Sequence, residues 1–158
     1  MKISTVFLDR DGVLNEDDPT YVLSLFEIRM HSDVPDAIRQ LTNNGIDIIV
    51  VSNQACVGKG LISMDDAEEI FEHIIMHSES SGGKIKDWYF CPHRADQRCP
   101  NRKPNPGMFM KAIREHGVNL KEAVYIGDSK SDALVAKLLG IPFFLVSQGW
   151  GPITRESL

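Results

Sequence analysis

The sequence predicts an α/β fold in which a doubly wound, mostly parallel β-sheet carries helices on both faces. Three observations predict it. Apolar, β-rich segments alternate with segments of helical periodicity, each apolar segment has the length of a buried strand, and 158 residues suit about one domain. Parallel strands joined through helices are connected by right-handed crossovers. We therefore expect residues 1–158 to form a single domain with one sheet-and-helix core.

Five segments have the composition of buried strands, and four have helical patterns. The predicted strands are residues 3–8, 46–51, 85–90, 123–126 and 143–146. The clearest helix follows Ser63, a candidate N-cap, presents apolar residues on one face and breaks at 80–83. The other helices are expected from Asp33 to about Gly45, from Pro106 to Gly117 and from Ser131 to Gly140.

Composition excludes several classes of protein. Lys and Arg total 17 against 22 Asp and Glu, so the net charge is −5 and a broad nucleic-acid or anionic-membrane surface is not expected. No apolar run approaches the roughly 20 residues of a membrane helix, and the first residues lack the apolar core of a signal peptide. We expect a cytoplasmic protein, in which three cysteines, an odd number, indicate metal ligation or packing rather than disulfides.

The residues directly after the predicted strands are mostly polar or charged. Ligands bind beyond the carboxyl ends of parallel strands, so these residues are expected to meet at one edge of the sheet. A long polar loop at about 91–105 lacks periodicity, and such loops are usually functional. The candidates are Asp9 and Asp11 after the first strand, Ser52 after the second, Asp128 and Asp132 after the fourth, and Lys103 near the end of the loop.

These residue types together suit phosphoryl transfer. Asp9 and Asp128 offer the hard oxygen ligands that Mg²⁺ accepts alongside a phosphate. Lys103 and the Ser52 hydroxyl would face the metal across the phosphoryl group and neutralise its developing charge. Asp9 would attack phosphorus to form an aspartyl-phosphate, while Asp11 would protonate the leaving alkoxide and later accept a proton from water.

Four stretches resemble a known family. In order they read FLDRDGVLN (7–15), SNQACVGKG (52–60), CPH (91–93) and CPNRKPNPGM (99–108). They resemble the haloacid dehalogenase superfamily of phosphatases and, within it, the small histidinol-phosphate and heptose-bisphosphate phosphatase family, along almost the whole chain. The resemblance implies a Rossmann-like sheet. No insertion between Asp11 and Ser52, or between Ser52 and Lys103, is long enough for a full cap domain, so we expect an open site.

The resemblance also implies roles for individual residues. Asp9 matches the nucleophile and Asp11 the acid/base, and Mg²⁺ would rest on Asp9, the Asp11 carbonyl and Asp128. Ser52 and Lys103 match residues that stabilise the transferred phosphoryl group. The residues expected to contact the substrate are Asp17, Asn53, Gln54, Ala55, Arg102 and Lys103.

The long loop departs from the family at a metal site. Family members commonly carry Cys-x-His and then Cys-x-Cys, four ligands for a structural zinc. Here Cys91, His93 and Cys99 match, but Asn101 stands where the fourth cysteine would be. Either zinc binds with water, Asp96 or another group completing the site, or the loop is a remnant ordered by packing.

Further positions affect the expected site. Cys56 replaces the family's usual glycine, so the loop is expected to be shifted or strained if that backbone position needs a positive φ. Ser129 stands where close relatives often have a phosphate-contacting lysine, so substrate contacts are expected to differ there. Asp132 matches the last acidic position and is expected to orient Lys103 or the loop rather than to bind metal directly.

The function favoured by these features is a Mg²⁺-dependent phosphatase that acts by an aspartyl-phosphate on a small phosphorylated metabolite. The preferred substrate is D-glycero-D-manno-heptose 1,7-bisphosphate, converted to the 1-phosphate, because Arg102 beside Lys103 suits a second anionic group. The Asp-Arg-Asp-Gly-Val form and Tyr21-Val22 also look closer to the heptose branch. Alternatives are a histidinol-phosphate or other small-metabolite phosphatase, and a non-catalytic phosphate-ligand-binding protein. We expect a monomer that binds neither nucleic acid nor membranes.

Overall fold

A computed structural model describes residues 1–146, and they form the layered α/β fold that the sequence predicts. One parallel sheet has the strand order β3-β2-β1-β4-β5. The chain starts at the central strand, extends the sheet to one side and then returns to extend the other, which places a topological switch point at β1 and β4. The strands are β1 (Thr5–Leu8), β2 (Asp47–Asn53), β3 (Asp87–Cys91), β4 (Ala123–Gly127) and β5 (Phe143–Leu145).

Helices cover both faces of this sheet. On one face lie α1 (Val34–Asn43) and α3 (Met64–Ser78), and on the other lie α4 (Gly107–His116) and α5 (Lys130–Leu139). A single turn, α2 (Ala55–Gly58), follows β2 directly and is absent from the sequence prediction. One turn is too short to show a helical period, which explains why the pattern misses it.

Alternation along β1 divides the core between the two faces. Val6 and Leu8 pack in the cluster that contains the apolar faces of α1 and α3, while Phe7 packs in the cluster of α4 and α5. Successive side chains of a strand point to opposite faces, so a strand buried on both sides is apolar throughout. The sheet is therefore held rigidly beneath its carboxyl edge.

Helix ends refine the predicted boundaries. The Ser63 side chain accepts the Asp66 N–H and caps α3 as predicted. Asp33 precedes α1, but its side chain makes no capping hydrogen bond. Helix α5 begins at Lys130, one residue earlier than predicted, because Ser129 caps it by accepting the Asp132 N–H.

The connections near the carboxyl edge contain no additional domain. Residues 9–33, between β1 and α1, form a loop with one 3-10 turn at Leu25–Glu27. Between β2 and β3 there are only α2 and α3. Within residues 1–146, therefore, nothing of cap-domain size is inserted at this edge. None of the helices in the described part of the chain is long and apolar enough to cross a membrane.

Candidate active site

A cavity of about 390 Å³ opens at the carboxyl edge of the sheet. Its walls come from the ends of β1, β2 and β4, from the loop after β1, and from the end of the long loop before α4. Polar and acidic side chains dominate it. The lining residues are Asp9, Asp11, Asp17, Asp18, Pro19, Tyr21, Asn53, Lys103, Asp128, Ser129 and Ser131.

Asp9 is the first residue after β1 and lies at the floor of this cavity. Its main-chain N–H donates to the Ile126 carbonyl at 3.0 Å, which continues the β1–β4 pairing, and its Oδ1 accepts the Arg10 N–H at 2.8 Å. Burial, together with the nearby negative charge of Asp132, raises the pKa of Asp9 well above its usual value. Main-chain hydrogen bonds therefore hold Asp9 in place, and a nearby cation would stabilise the ionised form of its buried carboxylate.

Lys103 supplies one such cation. Its buried ammonium lies 2.7 Å from Asp132 Oδ1, 3.1 Å from Asp9 Oδ1, 3.0 Å from the Val51 carbonyl and 2.8 Å from the Tyr125 hydroxyl. Burial by itself lowers the pKa of Lys103, but the Asp9 and Asp132 carboxylates outweigh it and raise that pKa. The ammonium is therefore charged and held by neighbours on several sides.

Asp132 connects Lys103 to the start of α5. One oxygen contacts the lysine, and the other accepts the main-chain N–H groups of Asp128 at 3.1 Å and Ser129 at 3.2 Å. Burial raises the pKa of Asp132, but the Lys103 ammonium together with the hydrogen bonds from Tyr125 and Ser129 outweighs burial and lowers it. The expected contact between Asp132 and Lys103 is present. Ser129, which replaces the lysine of close relatives, caps this helix and also lines the cavity.

Asp128 faces Asp9 across the floor of the cavity. Carboxylate oxygens of Asp9, Asp128 and Asp132 lie within 4.8 Å of one another. Burial, followed by the charge of Asp132, raises the pKa of Asp128 to about 6. Gly12, at a φ of 83°, makes this approach possible, since a Cβ there would lie 1.8 Å from Asp128 Oδ2. The single Lys103 ammonium only partly neutralises these carboxylates, and carboxylate oxygens are ligands that Mg²⁺ prefers.

Asp11 is held by residues that the sequence did not identify. Its Oδ1 accepts hydrogen bonds from Arg10 Nη2 at 2.8 Å, Arg10 Nε at 3.1 Å and Asn15 Nδ2 at 2.9 Å. The Arg10 side chain is buried, and its guanidinium lies 5.0 Å from the centre of the Phe71 ring. In the sequence, an arginine between two acids is expected to face solvent. Its contact with Asp11 therefore becomes evident only from its burial in the structure.

Ser52 and Gln54 lie behind the cavity wall. Ser52 is 1% exposed, and its Oγ accepts a hydrogen bond from Gln54 Nε2 at 2.8 Å. The same nitrogen donates to Asp11 Oδ2 at 2.8 Å. Gln54 and Ala55 are predicted to contact the substrate, yet both are buried and neither lines the cavity.

The other predicted substrate contacts divide into two groups. Asn53 and Asp17 line the cavity. Arg102 does not line it, and its guanidinium donates to the His93 carbonyl at 3.1 Å.

Tyr21 also lines the cavity. Its φ of 67° is a left-handed conformation that is uncommon for a residue of this size, and its hydroxyl accepts a hydrogen bond from the Lys59 ammonium.

The predicted metal-binding residues of the long loop lie together. One side-chain atom each of Cys91, His93 and Cys99 lies within 4.8 Å of the others, and Cys91 Sγ is 3.5 Å from His93 Nδ1. The Asn101 main-chain N–H donates to Cys99 Sγ at 3.4 Å. The Asn101 side-chain oxygen instead packs against Gly107, where an added Cβ would be 2.1 Å from it.

The backbone at Cys56 does not have a positive φ, so replacing glycine by cysteine causes no strain at this position. It lies in α2 and is not among the non-glycine residues with a positive φ, which within residues 1–146 are Tyr21 and Arg98. The side chain is buried, and its thiol donates weakly to Gln54 Oε1 at 3.8 Å. A thiol therefore fits where the family usually has glycine.

Comparisons with known proteins agree with this geometry. A protein-family model described as HAD-hydrolase-like matches residues 100–156. The chain is 36% identical to the D-glycero-beta-D-manno-heptose-1,7-bisphosphate 7-phosphatase of Rhodopseudomonas palustris, over 87% of this chain and 80% of that protein. It is 35% identical to the enzyme of the same name from Pseudomonas putida, over 96% of this chain and 86% of that protein.

A solved structure shows the same fold. It is the D,D-heptose 1,7-bisphosphate phosphatase from B. bronchiseptica, crystallised with magnesium and phosphate. The two chains superpose with a TM-score of 0.87 at 29% identity, over 97% of this chain and 89% of that one. The Rossmann-like, haloacid dehalogenase-type fold expected from the sequence is thus confirmed.

Proposed function

We propose that this chain, which belongs to the D-glycero-D-manno-heptose-1,7-bisphosphate 7-phosphatase family of haloacid dehalogenase-like hydrolases, converts that bisphosphate to the 1-phosphate. The chain is a phosphoric monoester hydrolase. One observation carries the proposal at the site: the Lys103 ammonium and the Asp9 carboxylate lie 3.1 Å apart at the carboxyl edge, with Asp128 beside them. A nucleophile, a cation and a further acid are thereby assembled around one position.

The first half-reaction would transfer the phosphoryl group to Asp9. A carboxylate oxygen of Asp9 forms a bond to phosphorus, the bond from phosphorus to the substrate oxygen breaks, and the protonated carboxyl of Asp11 gives its proton to that oxygen. Lys103 neutralises charge that develops on the phosphoryl oxygens. In the second half-reaction, Asp11 takes a proton from water, which attacks phosphorus and releases phosphate and free Asp9.

A magnesium ion fits the acidic floor of the cavity. Asp9, Asp128 and the Asp11 carbonyl are the proposed ligands, and the related B. bronchiseptica enzyme was crystallised with magnesium. Burial is the first cause of the raised pKa values of Asp9 and Asp128, and a bound cation would favour the ionised form of both carboxylates. When bound, the ion neutralises charge on the phosphate and allows a carboxylate nucleophile to approach it.

We infer a bisphosphate rather than a monophosphate substrate from a second cation that lies next to Lys103 in the sequence. Arg102 adjoins Lys103 in the chain, and we assign it to the distal phosphate although its guanidinium now donates to the His93 carbonyl. Asn53 and Asp17, in the cavity wall, are the proposed partners of the sugar hydroxyls. Within the described residues no cap covers the cavity, so discrimination would rest on these loops.

A substrate panel tests the proposal. Purified protein with Mg²⁺ is assayed for phosphate release from both anomers of heptose 1,7-bisphosphate and from histidinol phosphate, and the highest kcat/KM is expected for a heptose bisphosphate. A preference for histidinol phosphate would instead support the histidinol branch. No turnover on a broad panel of phosphate esters would indicate a binding protein. Asp9→Asn should abolish turnover while leaving the circular dichroism spectrum unchanged.

Zinc on the long loop is a second part of the proposal. We propose that Cys91, His93 and Cys99 bind Zn²⁺ with a water as the fourth ligand, because Asn101 turns its oxygen towards Gly107. Tetrahedral zinc would require these ligand atoms to lie about 3.4–3.8 Å apart, and Cys91 Sγ already lies 3.5 Å from His93 Nδ1. Metal analysis of the purified protein tests it, and a preparation without zinc that keeps full thermal stability would support a remnant site.

The cellular setting completes the proposal. We place the enzyme in the cytoplasm, where Cys56, Cys91 and Cys99 would remain reduced, and we propose that it acts as a monomer. Fractionation of cells and light scattering of the purified protein test these two points. Periplasmic recovery or a stable dimer at micromolar concentration would overturn them.

A further inference from the structure

Gln54 makes a bridge between two groups of the proposed chemistry. Its Nε2 lies 2.8 Å from Asp11 Oδ2 and 2.8 Å from Ser52 Oγ. An amide nitrogen carries two hydrogens, so both hydrogen bonds can form at once. The side chain is 4% exposed and does not line the cavity, which separates Gln54 from a residue that touches the substrate.

The orientation of the Gln54 amide is determined by its surroundings. If the amide were reversed, its oxygen would face the Asp11 carboxylate, and two acceptors would meet without a hydrogen between them. The oxygen instead accepts the Cys56 thiol at 3.8 Å, and the Gln54 main-chain N–H donates to the Cys91 carbonyl at 2.8 Å. The nitrogen is therefore directed at Asp11 by contacts at both ends of the residue.

Asp11 depends on this contact for its placement relative to β2. Its other donors, Arg10 and Asn15, belong to the same loop after β1. Gln54 is 43 residues away in sequence and follows Ser52 at the end of β2. Among the described contacts of the Asp11 carboxylate, it is the one that ties Asp11 to a second strand.

We propose that Gln54 is a positioning residue that holds the Asp11 carboxyl where it can protonate the leaving oxygen, with Ser52 Oγ anchoring the amide. The inference rests on the proposed function, because the proposed function makes Asp11 the general acid. Arg10 and Asn15 hold the carboxyl from within the loop after β1, whereas Gln54 holds it from the end of β2. A displacement of about 1 Å at a reacting group can lower a rate by about 100-fold.

The predicted signature is a dependence on the leaving group. An alkoxide needs the proton from Asp11, whereas 4-nitrophenolate is stable enough to leave without one. Gln54→Met keeps the length and burial of the side chain but removes both hydrogen-bond donors. It should slow phosphoenzyme formation by about 100-fold with a sugar phosphate, and by less than about fivefold with 4-nitrophenyl phosphate.

Rapid-quench single-turnover assays on both esters measure this difference. Ser52→Ala removes the Oγ that anchors the Gln54 amide, so it should produce a similar but smaller difference between the two esters. Gln40→Met is the matched control, since the Gln40 amide donates to Asp36 on the exposed side of α1, and its activity should equal that of the wild type. Thermal melting shows whether each variant is folded at the assay temperature.

The outcomes separate the positioning role from its alternatives. An equal loss on both esters would overturn it in favour of a general structural role, and a raised KM with unchanged kcat would show that Gln54 contacts substrate. The sugar phosphate used is whichever ester of the panel the wild type turns over. The substrate proposal can therefore fail while the Gln54 test still gives an answer.

Discussion

The side-chain amide of Asn53 forms a reciprocal pair of hydrogen bonds with the main chain of Lys103. Its Oδ1 accepts the Lys103 N–H at 2.9 Å, and its Nδ2 donates to the Lys103 carbonyl at 3.0 Å. This pair ties the end of β2 to the loop before α4, across 50 residues of sequence. It explains how a lysine on a long loop reaches Asp9 with its ammonium fully buried.

Removal of the Asn53 amide should detach Lys103 from the sheet. Asn53→Ala leaves the Lys103 N–H and carbonyl without these partners, so we expect a loss of about 1–3 kcal/mol in unfolding free energy. We also expect a fall in kcat/KM of about 10- to 100-fold, since the main chain that carries the ammonium is no longer tied to the end of β2. Urea denaturation and steady-state kinetics measure the two effects.

Asn105 provides the matched control for this prediction. Its Nδ2 donates to the Cys99 carbonyl at 2.9 Å within the same loop, but at an exposed position. Asn105→Ala should therefore change kcat/KM by less than about twofold. Equal effects of the two substitutions would mean that Asn53 does not act through Lys103.

Neutralising Asp132 should destabilise the fold in a pH-dependent way. Asp132→Asn removes a buried charge from Lys103, and we expect a loss of about 3 kcal/mol at neutral pH. Lys103 lowers the pKa of Asp132 although burial raises it, so its ion pair stabilises the fold above the unfolded-state pKa near 4. That contribution is lost as the pH falls through the lower, folded-state pKa.

Urea denaturation at several pH values measures this prediction. The difference between wild type and Asp132→Asn should narrow below about pH 4. Glu68→Gln, a neutralisation at an exposed position of α3, should change stability by less than about 0.5 kcal/mol at every pH. A constant difference across the range would argue against an ion-pair origin.

Magnesium affinity should decrease as the pH falls through the pKa of Asp128. Burial and the charge of Asp132 raise that pKa to about 6 in the absence of metal. A ligand must lose its proton to bind, so affinity near pH 5 should be roughly tenfold weaker than near pH 8. Calorimetric titration with MgCl₂ measures it, and equal affinities would rule Asp128 out as the controlling group.

The same raised pKa predicts how the metal-free protein responds to pH. Folded Asp128 takes up its proton before the unfolded chain does, so this group stabilises the fold as the pH falls from about 7 towards 4. Saturating Mg²⁺ should remove or reverse the trend, because the ion needs the ionised carboxylate. Melting temperatures with Mg²⁺ and with a chelator provide the comparison.

Truncation of Phe71 should affect the core and the loop that carries Asp11. The ring is fully buried, stacks on Trp88 at 4.6 Å and lies beneath the Arg10 guanidinium. Phe71→Ala should reduce the free energy of unfolding by about 3–5 kcal/mol. Met76→Ala, at a residue 57% exposed on the same helix, should reduce it by less than about 0.5 kcal/mol.

A cysteine at position 101 should complete the zinc site. Asn101→Cys adds a thiolate to Cys91, His93 and Cys99, and a closed four-ligand site should bind zinc at least about tenfold more tightly. Competition with a colorimetric chelator measures the affinity of both proteins. If the substitution left affinity unchanged, position 101 would not face the metal.

Much of the fold is predictable because it depends on local pattern. The apolar runs that become β1 to β5 have the length and composition of buried strands, and the helices between them repeat apolar residues at helical spacing. Capping at Ser63 is local too, and the structure confirms it. The single turn of α2 is missed because four residues are too few to show a period.

The positions of Asp9 and Asp128 are also set by the sequence, because each follows a strand directly. Carboxyl ends of parallel strands share one edge of a sheet, so acids at those ends must converge once the sheet forms. What each side chain faces is a separate matter. Gln54 and Arg102 are predicted to touch substrate, yet one is buried behind Asp11 and the other bonds to the His93 carbonyl.

These side-chain orientations depend on tertiary contacts, because the partners lie far apart in the chain. Arg10 turns inward onto Phe71, Asn53 binds the Lys103 main chain, and Gln54 reaches Asp11. Each of these contacts gives a buried polar group a partner, and hydrophobic periodicity in the sequence does not reveal that partner. Local pattern in the chain thus specifies the family, the sheet and the edge where the acids meet. Packing between distant residues specifies which polar side chains face the cavity and which are buried behind it.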